Sequence, residues 1–205
     1  MPLVNDGKNS ACDGIAAVTA YIGLHSSLSD TGASEVSGGS PAYARQAVTW
    51  ATSSGGQKAN SSSLTFNVPG STTVVAFGMW SASTAGTFYG WMPLNPGARG
   101  FGTADSSTDT ITSFGHGLTA GTALYVDDVF AESLPTGLSR NTTYYVISSG
   151  LTSDAFKIST SSGGSAVTIT ASGEVFFQTL TPETFGAQGT LTVNASGLVI
   201  DATGI

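Results

Sequence analysis

Apolar residues in this chain recur mainly with a period of two, and clusters of Gly, Pro, Ser and Asn interrupt them at intervals of roughly ten residues. A strand turns successive side chains to opposite faces, so such alternation makes half-buried strands, and closely spaced turn residues fold them back on one another. The 27 glycines among 205 residues suit that design. The pattern predicts an all-β fold: an antiparallel β-sandwich with a short N-terminal helix and an inserted small β-domain.

The helix is expected over residues 7–17, with Asn5 and Asp6 as caps and Ala11, Ile15 and Val18 at helical spacing. From Val18 the period becomes two, with Ile22 and Leu24 on the apolar face and Tyr21 and His25 on the polar one. Residues 26–40 show no periodicity and read as a loop. Strands follow over residues 43–51, 64–68, 73–80 and 87–92, and a Pro- and Gly-rich break over residues 93–102 marks a module boundary. The second module reads as three hairpins, pairing residues 110–113 with 123–126, 142–148 with 155–159, and 166–171 with 175–178. Residues 189–193 and 198–200 most simply return to the first module. The expected domains are thus 1–97 with 181–205, a discontinuous sandwich, and 98–180, an inserted β-module.

Composition then excludes several functions. Only 9% of residues are charged, Lys and Arg total six, and the net charge is −7. With so few cations there is little to displace counterions from a phosphate backbone, which argues against nucleic acid as a partner. No apolar run is long enough for a helix to insert into a membrane, and residues 1–13 lack a signal-peptide block. Folding in a host cytoplasm is the expectation. Cys12 is the single cysteine, so neither an intramolecular disulfide nor a multi-cysteine zinc site is available. The triplets beginning at Asn60, Asn141 and Asn194 match the glycosylation pattern, as chance provides in a chain this rich in Ser and Thr.

Several separated motifs resemble one family. Leu24-His25-Ser26, the run Gly38-Gly39-Ser40-Pro41-Ala42-Tyr43-Ala44-Arg45, Phe77-Gly78-Met79-Trp80 and Glu183-Thr184-Phe185-Gly186 resemble, in order, the minor-tail and tail-fibre proteins of actinobacteriophages. The resemblance spans residues 1–94 and 182–205, and departs at Ser27 to Ser29, where relatives carry an acidic residue and a proline. Within residues 98–180, His116-Gly117-Leu118 and Thr143-Tyr144-Tyr145-Val146 are similar to a small β-module that recurs in phage tail and fibre proteins. What this implies is a non-enzymatic virion structural protein, a minor-tail component whose partners are other virion proteins and copies of itself. Capsid decoration is the alternative, and a host-glycan-binding adhesin a second one.

Catalytic constellations are missing from the sequence. His25 and His116 have no nearby second ligand, Ser is abundant without a nucleophile-elbow motif, and Gly38-Gly39 and Gly55-Gly56 lack phosphate-loop spacing. A hydrolase of cell-wall sugars would need paired carboxylates, for which Asp127, Asp128, Glu132, Glu174 and Glu183 are the candidates, without a supporting motif. Asp105, Asp109, Asp127 and Asp128 could supply oxygens to calcium, but no EF-hand spacing accompanies them, and a solvated loop is the simpler account. No cofactor, metal or catalytic residue is therefore expected. The candidate contact residues are aromatic. Tyr89 and Trp91 share a face of a strand whose other face carries Phe88 and Met92, as suits a strand covered by its own domain and by a neighbouring subunit. Tyr144 and Tyr145, being adjacent, point to opposite faces, one to the core and the other toward a partner or a host glycan.

Overall fold

The computed structural model describes residues 3–129 and 133–203. Helix α1 (Asn5–Val18) is followed by β1 (Tyr21–His25), β2 (Gln46–Ala47), β3 (Gln57–Ala59), β4 (Leu64–Val68), β5 (Thr72–Val74), β6 (Ala76–Trp80) and β7 (Phe88–Pro93). Next come β8 (Arg99–Asp105), β9 (Thr110–Thr112), β10 (Ala123–Asp127), β11 (Tyr144–Ile147), β12 (Ala155–Ser159) and β13 (Gly173–Thr179), then β14 (Glu183–Phe185), β15 (Gly189–Val193) and β16 (Val199–Asp201). The fold is all-β with one short N-terminal helix. Its residues form two compact units, Met1–Met92 with Thr184–Ile205, and Pro93–Glu183.

In the first unit α1 begins earlier than its polar residues suggest. Val4 occupies the N-cap position without a side-chain bond, so Asn5 and Asp6 lie inside the first turn, where Asp6 complements the helix dipole. The helix keeps Val18 and stops at Thr19, whose backbone N–H and Oγ1 both donate to the Ile15 carbonyl. Cys12 and Ala16 face inward and meet Ile200 and Ala202, small side chains that let the helix approach β3 and β16 closely.

The main sheet runs in the order β2-β1-β6-β7. Both faces of β1 are covered, contrary to the half-polar strand that its alternation predicts: His25 is 2% exposed. Residues 26–36 fold back onto it, with Val36 donating to the Leu24 carbonyl and Glu35 bridging His25. The expected strand over residues 43–51 shrinks to the two residues of β2 plus a bridge between Trp50 and Asn60, and the expected strand over 73–80 breaks at Val75 into β5 and β6. Three two-stranded ribbons complete the unit, β14-β5, β15-β4 and β16-β3. In the longest, Leu64, Phe66, Val68, Leu191 and Val193 turn inward while Thr65 and Thr192 meet outside.

The second unit is a closed barrel, β10-β11-β12-β9-β8-β13. Closure gives every strand two neighbours, so adjacency in sequence is a poor guide to pairing. Of the three expected hairpins only β11-β12 forms; β9 pairs with β8 and β12 instead of with β10, and β13 with β8 and β10. Residues 166–171 contribute no strand. Val167 donates to Ile158, and Ile169 plugs the core while its N–H donates to Asp109 Oδ1. Tyr144, Phe156, Phe177, Leu124 and Ile111 fill the interior.

Candidate functional site

β7 is the outer strand of the main sheet and carries Phe88, Tyr89, Trp91 and Met92. Phe88 turns inward, packing on Trp80 at 4.9 Å and His25 at 5.6 Å between ring centroids. Tyr89 is 44% exposed. Trp91 is half-buried, and its indole N–H donates to Asp30 Oδ1 at 3.3 Å. Gly90 between them has φ 141°, a conformation that L side chains rarely adopt. The strand thus shows aromatic rings on both faces, Phe88 packed against Trp80 and His25 and Tyr89 toward solvent.

Behind Phe88 lies a polar cluster that holds residues 26–45 onto the sheet. Arg45 donates from Nε and one terminal nitrogen to the two oxygens of Glu35, each at 2.7 Å. Its other terminal nitrogen reaches the Ala82 and Ala85 carbonyls in the turn before β7. The guanidinium also stacks 3.5 Å above the Trp80 ring. Tyr43 hydroxyl donates to Glu35 and accepts from the Leu24 N–H, and burial pushes its ionisation well above the ordinary range. His25 Nδ1 lies 3.0 Å from the Ala33 carbonyl; a carbonyl only accepts, so the proton is on Nδ1. Nε2 then carries a lone pair, buried without a hydrogen-bond partner, as is the Trp80 N–H. Burial holds the imidazole below its usual pKa, which the Ala33 bond and the Glu35 charge partly offset.

The sequence marks Gly78 and Gly23 only as strand glycines, yet they form the floor of this cluster. A Cβ on Gly78 would run into His25 Nε2, and one on Gly23 would crowd Glu35 and Tyr43. Sequence reasoning singled out Tyr89 and Trp91 but missed Glu35 and Arg45 as a pair; one lies in the aperiodic loop and the other ten positions on in the expected strand, and only the fold brings them together.

The other candidates are scattered. Tyr144 is 2% exposed and its hydroxyl exchanges bonds with Ser139, so it is a core residue and not a contact; Tyr145, half-buried, faces outward. The carboxylates do not converge. Asp127 and Asp128 are both held by Arg140, Asp105 caps its own turn through Ser107 and Thr108, and Asp109 accepts from Ile169. Among the described residues no three of His, Cys, Asp and Glu are grouped closely enough for a metal ion. Glu132 lies outside the described residues. His116 accepts from the Leu118 N–H through Nδ1 and packs edge-on against Phe156. No helix among the described residues is long and apolar enough to cross a membrane.

What the site contains, then, is an aromatic outer strand anchored by a partly buried Arg-Glu pair. The family model described as podophage GP4 fiber I protein gp80 matches residues 9–115, which is more than half of the chain. The chain belongs to this family. The match to the podophage fibre family takes in α1 from Asn9, the whole Glu35-Arg45 cluster, β7 and the first two barrel strands. None of the curated proteins and none of the solved structures matches the chain. The matched residues include Leu24-His25-Ser26, the Gly38 to Arg45 run and Phe77-Gly78-Met79-Trp80, while Glu183-Thr184-Phe185-Gly186 lies outside them, and the family is a phage fibre family whose model carries a podophage name.

Proposed function

We propose that this fibre-family protein is a non-enzymatic structural component of the tail fibre or tail tip, built into the virion through contacts with copies of itself and with other virion proteins. The observation that carries the reading is β7: an outer strand with Tyr89 and Trp91 on one face and a half-buried Phe88 packed on Trp80 and His25 on the other. An outer strand offers unpaired backbone to a neighbour, and half-exposed aromatics supply apolar area at low entropic cost. Trp91→Ser removes that area while leaving Phe88 and the Arg45-Glu35 pair intact. The variant is therefore expected to melt as a folded monomer yet fail to incorporate into particles. A variant that does not fold would make Trp91 plain core.

Location is tested by immunogold electron microscopy of intact particles. Gold at the distal tail supports the fibre or tail-tip reading, and gold spread over the head would replace it with capsid decoration. A host-surface glycan as partner would fall to Tyr145, since Tyr144 is buried, and saturable glycan binding lost in Tyr145→Ala is the sign of it.

A further inference from the structure

Residues 29–34 form a turn that lies over aromatic rings without joining any sheet. It is folded on itself, with the Thr31 and Ala33 N–H groups both donating to Ser29 Oγ. Both ends are anchored: Leu28 before it is buried, and Glu35 after it takes two bonds from Arg45. Between those anchors the turn touches each ring of the cluster at one point. Gly32, at φ 74°, lies so close to the Trp80 and Phe88 rings that a Cβ there would stand 2.5 Å from Trp80 Cη2 and 2.9 Å from Phe88 Cγ. The Ala33 carbonyl accepts from His25 Nδ1, and Asp30 Oδ1 accepts from the Trp91 indole. The Ser34 carbonyl accepts from the Ser26 N–H and hydroxyl.

The opposite edge of the His25 ring is closed. Nε2 is aimed at Gly78 so directly that a Cβ there would run into it, and Trp80 Nε1, a buried donor without a partner, lies 2.9 Å from the same point. A lone pair on Nε2 is tolerated in that setting, whereas an N–H would set a second donor beside the first with no acceptor for either. Glu35 and Arg45 are the charged groups that face the ring, one favouring the proton and the other opposing it. Glu35 is already engaged, Oε1 by Arg45 and the Tyr43 hydroxyl and Oε2 by Arg45 again, and Tyr43 keeps its own proton. Of the elements packed on the ring, β1 and β6 are tied along five residue pairs, while the turn has no ladder and yields first.

We propose that residues 29–34 are a proton-operated cover: a proton taken up by His25 Nε2 lifts the turn between its anchors at Leu28 and Glu35, uncovers Trp80 and Phe88 and frees Trp91 from Asp30. Acid then adds inner rings to the aromatic area that β7 presents, a regulation that rests on the reading of β7 as a contact surface. Opening is read on purified protein and the role of β7 on whole particles, so the two fail separately.

NMR-detected hydrogen exchange of the full chain from pH 7.5 to 5.0, corrected for the intrinsic pH dependence of exchange, reads the cover directly. The reporters are the Ser26 amide, whose acceptor is the Ser34 carbonyl, and the Trp80 indole N–H. The controls are the Trp50 indole, which donates to the Thr19 carbonyl, and the ladder amides of β1 and β6. Protection of both reporters is expected to fall about tenfold while the controls keep theirs; an uncovered imidazole of pKa 6.5 sets a ceiling of roughly thirtyfold at pH 5. His25→Asn, whose amide can still donate to Ala33 but takes up no proton, is expected to abolish the fall. Should that variant misfold, the onset in the wild type decides, because an imidazole sets it near pH 6.5 and carboxylates below 5. Reporters indifferent to pH overturn the proposal. So does a fall shared equally by the controls, one that begins only below pH 5, or one that persists in His25→Asn.

Discussion

The Arg45 guanidinium donates to both Glu35 oxygens and to the Ala82 and Ala85 carbonyls, so one side chain joins the residues 26–45 segment to the turn that leads into β7. Its side chain is 7% exposed and that of Glu35 22%. Removing one partner of such a pair strands the other charge. Arg45→Met is expected to lower unfolding stability by about 3–5 kcal/mol in urea titration, and Arg45→Met/Glu35→Gln to recover part of it, because the double leaves no uncompensated carboxylate. His25 sets a pH limit on the same cluster. Its folded pKa is depressed below 6.5 by burial, so the folded state holds the neutral ring and the unfolded state takes up the proton first. Glu35 and Arg45, the charged groups that face it, act in opposite directions. Stability from this group is fully present above pH 6.5 and declines as pH falls through that value. Thermal melts from pH 8 to 5 are expected to show a falling melting temperature below pH 6.5, and His25→Phe to flatten that decline. The carboxylates with lowered pKa, Asp13, Asp105 and Asp128, lose their contribution only below 3.8, in a separate window.

At the scale of elements, two glycines with the same helix and strand penalties sit in opposite surroundings. Gly14 in α1 has nothing within 4 Å of where a Cβ would stand, so Gly14→Ala is expected to stabilise by about 1 kcal/mol through helix propensity. Gly78 in β6 has His25 and Trp80 against it, so Gly78→Ala must displace a ring and is expected to destabilise by about 1–3 kcal/mol. Differential scanning calorimetry of the two variants side by side reads the contrast in sign. That pairing also explains why β1 and β6 meet so closely along a ladder of five residue pairs: small residues facing each other at Gly23 and Gly78 leave room for the aromatic rings that residues 26–45 then cover.

For the whole molecule, the chain enters and leaves the barrel at adjacent points, since Thr181 donates to the Leu94 carbonyl and Gly97 to that of Thr179. The barrel is expected to behave as an insertion. Replacing residues 95–180 by a short Gly-Ser linker should then leave a protein that unfolds in one cooperative transition, and residues 93–183 alone should fold with the near-ultraviolet signal of packed Tyr and Phe. Loss of structure in both fragments would make the two units interdependent. The shape of the core supports the second half of that expectation: Tyr144, Phe156 and Phe177 form an interior made wholly by barrel residues, and Phe156→Ala is expected to cost about 3–5 kcal/mol.

The sequence by itself determined the class of the fold and the identity of its strands where alternation is strict, as in β4, β12 and β15, because a period of two turns one apolar set inward whatever the partner. It determined the aromatic character of β7 and the resemblance to phage tail and fibre proteins through short motifs in order. It did not determine partners. Local turn signals predicted β9 beside β10, whereas closing a barrel satisfied both edges of every strand and paired β9 with β8 and β12. Nor did alternation reveal that His25 is buried, since most of the covering segment, residues 26–40, has no period of its own and is held through Glu35 by a bidentate ion pair with Arg45. Which of two adjacent tyrosines lies inside was likewise left to the tertiary structure: neighbours in a strand always face opposite ways, and only the closure of the barrel says which way is in.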